Sequence, residues 1–206
     1  MSKFLDFILY PKRFYEKLND KTKYLFWGIL LIGFIDILLF GMGYNLFLHF
    51  IDRPVGDFLL NLFVLSAGML VVGFLDIFFV SLPLSDLFYR FSTKKDTLKK
   101  QSGRILFIKM YICSHFIIAP AGAIISIIFQ NINMASGTLL IMIRTIADTA
   151  VIIWSSALLT RGTKIIYGYS EKHNSIVFLT LFIWTTVIIS RVLYFIISVG
   201  LVDLLR

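Results

Sequence analysis

The sequence predicts an all-α, polytopic integral membrane protein: a five-helix transmembrane bundle with a short interfacial N-terminal helix, forming one domain over residues 1–206. Three observations carry this: the composition, five apolar runs of spanning length, and an alternating partition of lysine and arginine among the connections. Hydrophobic residues make up 58% of the chain and charged residues 16%, and the mean hydropathy is +0.86. A soluble domain carries roughly 25% charged residues. Crossing a hydrocarbon core of ~30 Å takes about 20 apolar residues in a helix. Runs of that kind are Tyr24–Phe47, Phe58–Leu82, Ile105–Phe129, Gly137–Thr160 and Ile176–Gly200.

Residues 1–23 read as interfacial structure. "KFLDFILY" is apolar and stops at Pro11, and "PKRFYEKL" starts a second short helix with proline in its first turn. Phe14 and Leu18 fall one turn apart among Lys12, Arg13, Glu16 and Lys17. That pattern suits a helix lying on the inner leaflet, apolar side down. No small-residue cleavage site follows the first span closely, so a removable signal peptide is not expected.

The second run is too long. A continuous helix from Phe58 to Arg90 would rise about 50 Å at ~1.5 Å per residue, so it must tilt, protrude or bend. Pro83 is the expected bend, because it lacks an N–H and crowds the carbonyl four residues back. Pro120 in "IAPAGAII" is expected to act similarly in the third span. Small residues mark close helix packing: Gly28, Gly33, Gly41 and Gly43 in span one, Gly68 and Gly73 in span two, and Ala119, Ala121, Gly122 and Ala123 around Pro120.

The net charge of +8 is not a nucleic-acid signature. Basic residues cluster before span one, in the second connection from Arg90 to Arg104, and in the fourth at Arg161, Lys164 and Lys172. The first connection holds only Arg53, and the third, "QNINMASG", holds no charge. Lysine and arginine concentrate on the cytoplasmic side, which predicts a multi-pass cell-membrane protein with its N-terminus cytoplasmic and its C-terminus outside. The basic segments then face anionic lipid headgroups. They lack the aromatic interleaving of a base-stacking surface. The partners implied are the lipid bilayer, its anionic headgroups, and further copies of the chain or other membrane proteins.

Five charged residues lie deep within spans: Asp36, Asp76, Arg144, Asp148 and Arg191. Intramembrane charges cost about 2.5–3.5 kcal/mol each on insertion and face the bundle interior or a wet cavity. Arg144 and Asp148 are one turn apart and share a helix face. Asp36, Asp148, Arg144 and Arg191 are expected to face one another in the core, with Asp76 deeper toward the cytoplasm. Asp86 and Lys109 sit about one turn inside the inner edge and are expected to pair across the hairpin of spans two and three. Asp36 and Asp76 occupy near-repeats, "GFIDILLF" and "GFLDIFFV", whose spans run in opposite directions.

No catalytic residue, metal site or cofactor is expected. Cys113 is the only cysteine and reads as a small buried hydrophobe. His115 lies two residues on, off the Cys113 face. No paired-histidine zinc motif, glycine-rich phosphate loop or serine-centred elbow occurs. Intramembrane aspartyl proteases carry GxGD, whereas Phe74 and Leu75 separate Gly73 from Asp76 here.

Five spans, a cytoplasmic N-terminus, "LYPKRFYEKL" before span one, and basic second and fourth connections resemble the bacterial branch of the Yip (Ypt-interacting protein) family, from Phe4 to Leu201. The resemblance implies a non-enzymatic membrane scaffold or interaction protein. In eukaryotic members it implies association with Rab-type GTPases and with one another. On this reading Asp36 and Asp76 neutralise Arg144 and Arg191 and fix helix order. The alternative is a small transporter or channel that uses the intramembrane carboxylates for proton or cation coupling.

Overall fold

A computed structural model describes residues 11–38, 55–129, 137–188 and Phe195. Among them every regular element is helical. In chain order these are α1 (Lys12–Glu16), α2 (Leu25–Ile37), α3 (Val55–Asp76), a π-helical turn (Ile77–Ser81), α4 (Leu82–Arg90), α5 (Lys100–Ile128), α6 (Thr138–Tyr167), a 3-10 turn (Glu171–His173) and α7 (Asn174–Val187). Three stretches are long and apolar enough to cross a membrane: Phe58–Arg90, Lys100–Ile128 and Thr138–Tyr167. The described parts of the first and fifth expected spans are α2 and α7, which are shorter. Of their remaining residues Tyr24, Leu38, Ile188 and Phe195 are described, and Arg191 lies outside the described set.

The distribution of polarity is that of a protein surrounded by oil. Phe63, Phe74, Phe116, Ile127 and Leu139 point outward, while Asp36, Asp76, Ser81, Ser85, Ser114, Ser156, Thr163 and Thr185 are buried. Many of the buried hydroxyls bond the carbonyl four residues back on their own helix, as Ser114 does to Met110, Thr163 to Leu159 and Thr185 to Leu181. A hydroxyl satisfied in this way can pack against a neighbouring helix at little cost.

The closest approach in the bundle joins the two near-repeats. A Cβ on Gly33 would collide with the carbonyl oxygen of Met69, and one on Gly73 with the carbonyl oxygen of Ile29. Each glycine therefore meets the carbonyl four residues before the other. That reciprocal arrangement is what two antiparallel helices crossing at a local two-fold produce. It brings α2 and α3 into backbone contact, and α5 packs against α2 and against the π-helical turn and α4 that continue α3. On its other side α5 packs against α6, which in turn contacts α7.

The second span resolves its excess length by continuing as helix to Arg90, with the π-helical turn inserted directly after Asp76. Pro83 follows that turn at the start of α4. The Phe79 carbonyl, which Pro83 has no N–H to satisfy, accepts the Trp184 Nε1–H at 2.9 Å. Replacing Trp184 with phenylalanine removes that donor, and we expect a loss of about 1 kcal/mol in thermal unfolding. An unchanged midpoint would show that the carbonyl finds another partner. Pro120 lies inside α5, which is helical without a break from Lys100 to Ile128. A proline removes one backbone bond, which a long helix packed on both flanks tolerates.

Two expectations are corrected. Asp86 does not pair with Lys109. Arg104 Nε and Nη2 donate to its two carboxylate oxygens at 2.7 and 2.6 Å, with Lys100 at 3.3 Å. The planar guanidinium matches both oxygens at once, and Arg104 lies as far from the hairpin as Asp86 does, whereas Lys109 is another turn in. Lys109 Nζ instead donates to the backbone and side-chain oxygens of Asn19. Nor does α1 present Phe14 and Leu18 as a joint membrane face. Tyr15 plugs it into the bundle, buried, with its hydroxyl 2.7 Å from Ser114 Oγ. Because Ser114 donates to Met110, Tyr15 is the donor in that bond. Leu18 packs against the core while Phe14 stays exposed.

The connection 91–99 closes the basic end of the bundle. Ser92 Oγ and the Thr93 N–H both donate to the Tyr167 carbonyl, Thr93 Oγ1 to Gly168, and Lys94 Nζ to Ile165. These are carbonyls at the C-terminal end of α6, which has no further turn of helix to satisfy them. Gly168 ends that helix with φ of 71° in the left-handed region, the usual conformation for a glycine at this position.

Candidate functional site

The glycine crossing places Asp36 and Asp76, each three residues after its glycine, beside each other. Both are buried, at 2% and 0% exposure. The crossing is antiparallel, so the two aspartates lie on either side of it, Asp76 nearer the basic end of the bundle, and reach back toward each other. The third contributor comes from α5. One oxygen of Asp36, one of Asp76 and a ring nitrogen of His115 lie within 4.8 Å of one another. His115 Nε2 is 3.9 Å from Asp36 Oδ1.

Tyr111, one turn before His115, orients both of its neighbours. Its hydroxyl donates to Asp76 Oδ1 at 2.9 Å. Its backbone carbonyl is 3.3 Å from His115 Nδ1, and the two rings are in contact with centroids 4.4 Å apart. A carbonyl only accepts, so this bond puts a proton on Nδ1. In the neutral imidazole Nε2 then carries a lone pair, and it points at a carboxylate. Asp36 Oδ2 and Asp76 Oδ2 are buried with no hydrogen-bond partner. The centre thus gathers acceptor atoms from three side chains, with the Tyr111 hydroxyl as donor to Asp76 Oδ1.

The expected guanidinium partners are not there. Among the described residues no lysine or arginine forms an ion pair with Asp36 or Asp76. Arg144 and Asp148 do pair with each other, Nε to Oδ2 at 3.7 Å, but with side chains 44% and 51% exposed. They sit on α6, which α5 separates from the α2–α3 crossing, so they do not face Asp36. Arg191, expected opposite Asp36, lies outside the described residues. Cys113 packs at the edge of the core and takes no part in the cluster.

Tyr111 and His115 were missed at the sequence level, although a signal existed. Two polar aromatic residues four apart in an apolar helix share a face, and that face is the one turned to the aspartates. Comparing His115 only with its neighbour Cys113 concealed this. The cluster itself escaped notice for the same reason: its three members come from three different helices. No protein-family model, curated protein or solved structure matches the chain.

Proposed function

We propose that the chain is a five-crossing membrane protein, N-terminus cytoplasmic, that works as a small cation carrier or channel with Asp36, Asp76 and His115 as its binding centre. One observation carries this reading. Two carboxylates are buried side by side with no cationic side chain paired to them among the described residues, and each has an unpartnered oxygen. An arrangement that serves only to hold helices together gains from opposite charges, whereas this one gathers like charges and lone pairs. Buried carboxylates of this kind mark ion pathways. The scaffold reading rests on the family-like layout and the lack of catalytic motifs, and the helix-ordering role it gives the aspartates pairs them with Arg144 and Arg191, whereas Arg144 pairs with Asp148 on α6.

Proteoliposomes holding the full chain are expected to take up at least one of Na+, K+ and Mn2+ several-fold faster than protein-free vesicles. Asp36→Asn and Asp76→Asn are each expected to return uptake to background. Wild-type uptake at background, or variants that match wild type, would overturn the carrier reading and restore the scaffold with its Yip-like layout. The topology has a separate check. Single cysteines at Asn131 and Lys95 in a Cys113→Ser background should react with an impermeant maleimide from opposite sides of the membrane. Reaction from one side refutes the five-crossing arrangement.

A further inference from the structure

We infer that Asp36, Asp76 and His115 form a site for a divalent first-row transition-metal ion, with Tyr111 as the residue that positions two of its ligands. The inference rests on the cation-centre reading above and names the class of ion. Four features of the geometry point the same way.

The first is spacing. At a tetrahedral centre two ligand atoms with bonds of about 2.0–2.2 Å stand about 3.4 Å apart, so His115 Nε2 and Asp36 Oδ1, 3.9 Å apart, reach a shared ion by closing about half an ångström. A direct hydrogen bond does not span that distance. The second is the state of the ligand atoms. The Nδ1–H bond to the Tyr111 carbonyl leaves Nε2 as the coordinating nitrogen, and a metal-bound histidine almost always donates its other N–H in this way. The third is charge. Two carboxylates balance a divalent ion in a place where net charge is costly. The fourth is the pair of unpartnered buried oxygens, Asp36 Oδ2 and Asp76 Oδ2.

The donor set selects the class. Calcium takes six to eight oxygen ligands and magnesium keeps several waters around one or two carboxylates. One imidazole and two carboxylates suit zinc, manganese, iron or cobalt in the divalent state. Three protein ligands leave a position open for water, as in exchangeable sites, where closed structural sites use four. Tyr111 supports two of the three ligands at once, through its hydroxyl to Asp76 and its carbonyl to His115.

Cobalt(II) tests this on the purified full chain in detergent after treatment with a chelator. The wild-type protein should develop visible ligand-field absorption that saturates near one ion per chain, a ratio counted independently by elemental analysis. His115→Gln and Asp36→Asn should abolish the absorption. Tyr111→Phe should keep its shape and weaken binding by about tenfold, a result that a merely misfolded variant would not give. His173→Asn, at the exposed 3-10 turn, should bind as wild type does. No saturable absorption in the wild type, or absorption retained in His115→Gln, overturns the inference. Cation uptake without a cobalt spectrum removes the metal site and leaves the carrier reading standing. A cobalt spectrum without uptake removes the carrier and leaves the site.

Discussion

Gly33→Ala and Gly73→Ala will each cost about 3 kcal/mol or more, measured as loss of folded, monodisperse protein on thermal unfolding in detergent, while Gly56→Ala will be neutral or mildly stabilising. The methyl group at Gly33 or Gly73 would overlap a main-chain carbonyl of the facing helix. Backbone cannot rotate out of the way as a side chain can, so the two helices must separate along their length. That separation also pulls Asp36 from Asp76, and cation binding should be lost with the fold. At Gly56 an added Cβ meets nothing within 4 Å, and alanine is favoured over glycine in a helix by up to about 1 kcal/mol. Gly28 falls between, since its new methyl would press only on the side chain of Ile112, nearest at Cδ1, 2.6 Å away. The order of cost, backbone contact first, movable side chain second and open space last, is the test. Equal tolerance at all four positions would mean that the α2–α3 crossing is not where the helices meet.

The repeated glycine–aspartate unit was legible in the sequence as an oddity, and its purpose was not. Periodicity along one helix identifies a face, but not which face of which helix lies opposite. Three helices were needed to assemble the site, and their mutual rotation is set by the Gly33–Gly73 contact. The antiparallel sense of the two repeats is what places them across a local two-fold. The spans themselves were readable from apolar length, and the basic connections from charge. The end of the second helix was not, because Leu82 looked like the membrane edge while the hydrogen-bonded helix continues through "SDLFYR" to Arg90. Asp86 was misassigned for a related reason. Distance from the loop allowed either Arg104 or Lys109, and the two-pronged fit of a guanidinium decided between them.

Asp36→Asn should raise the stability of the metal-free protein by about 1–3 kcal/mol even as it removes the binding centre. In the wild type Asp36 Oδ1 stands 3.9 Å from His115 Nε2, Asp36 Oδ2 is buried with no hydrogen-bond partner, and the Asp76 carboxyl group lies beside it. Both arrangements oppose folding in a medium that screens poorly. An asparagine of the same shape holds no ionisable group and offers an amide N–H as a donor. Replacing buried charges by neutral groups of similar volume often stabilises a protein, and functional sites are where natural chains carry such conflicts. The measurement is thermal unfolding in detergent with a chelator present, then with Mn2+ or Co2+ added. Without metal the variant should melt above wild type. With metal the wild type should rise and the variant should not, because an ion that binds only the folded state stabilises it by mass action. A variant less stable than wild type under chelation would show that Asp36 already has a favourable partner in the fold. The gathering of unpartnered buried oxygens that motivates both the carrier and the metal site would then have another explanation.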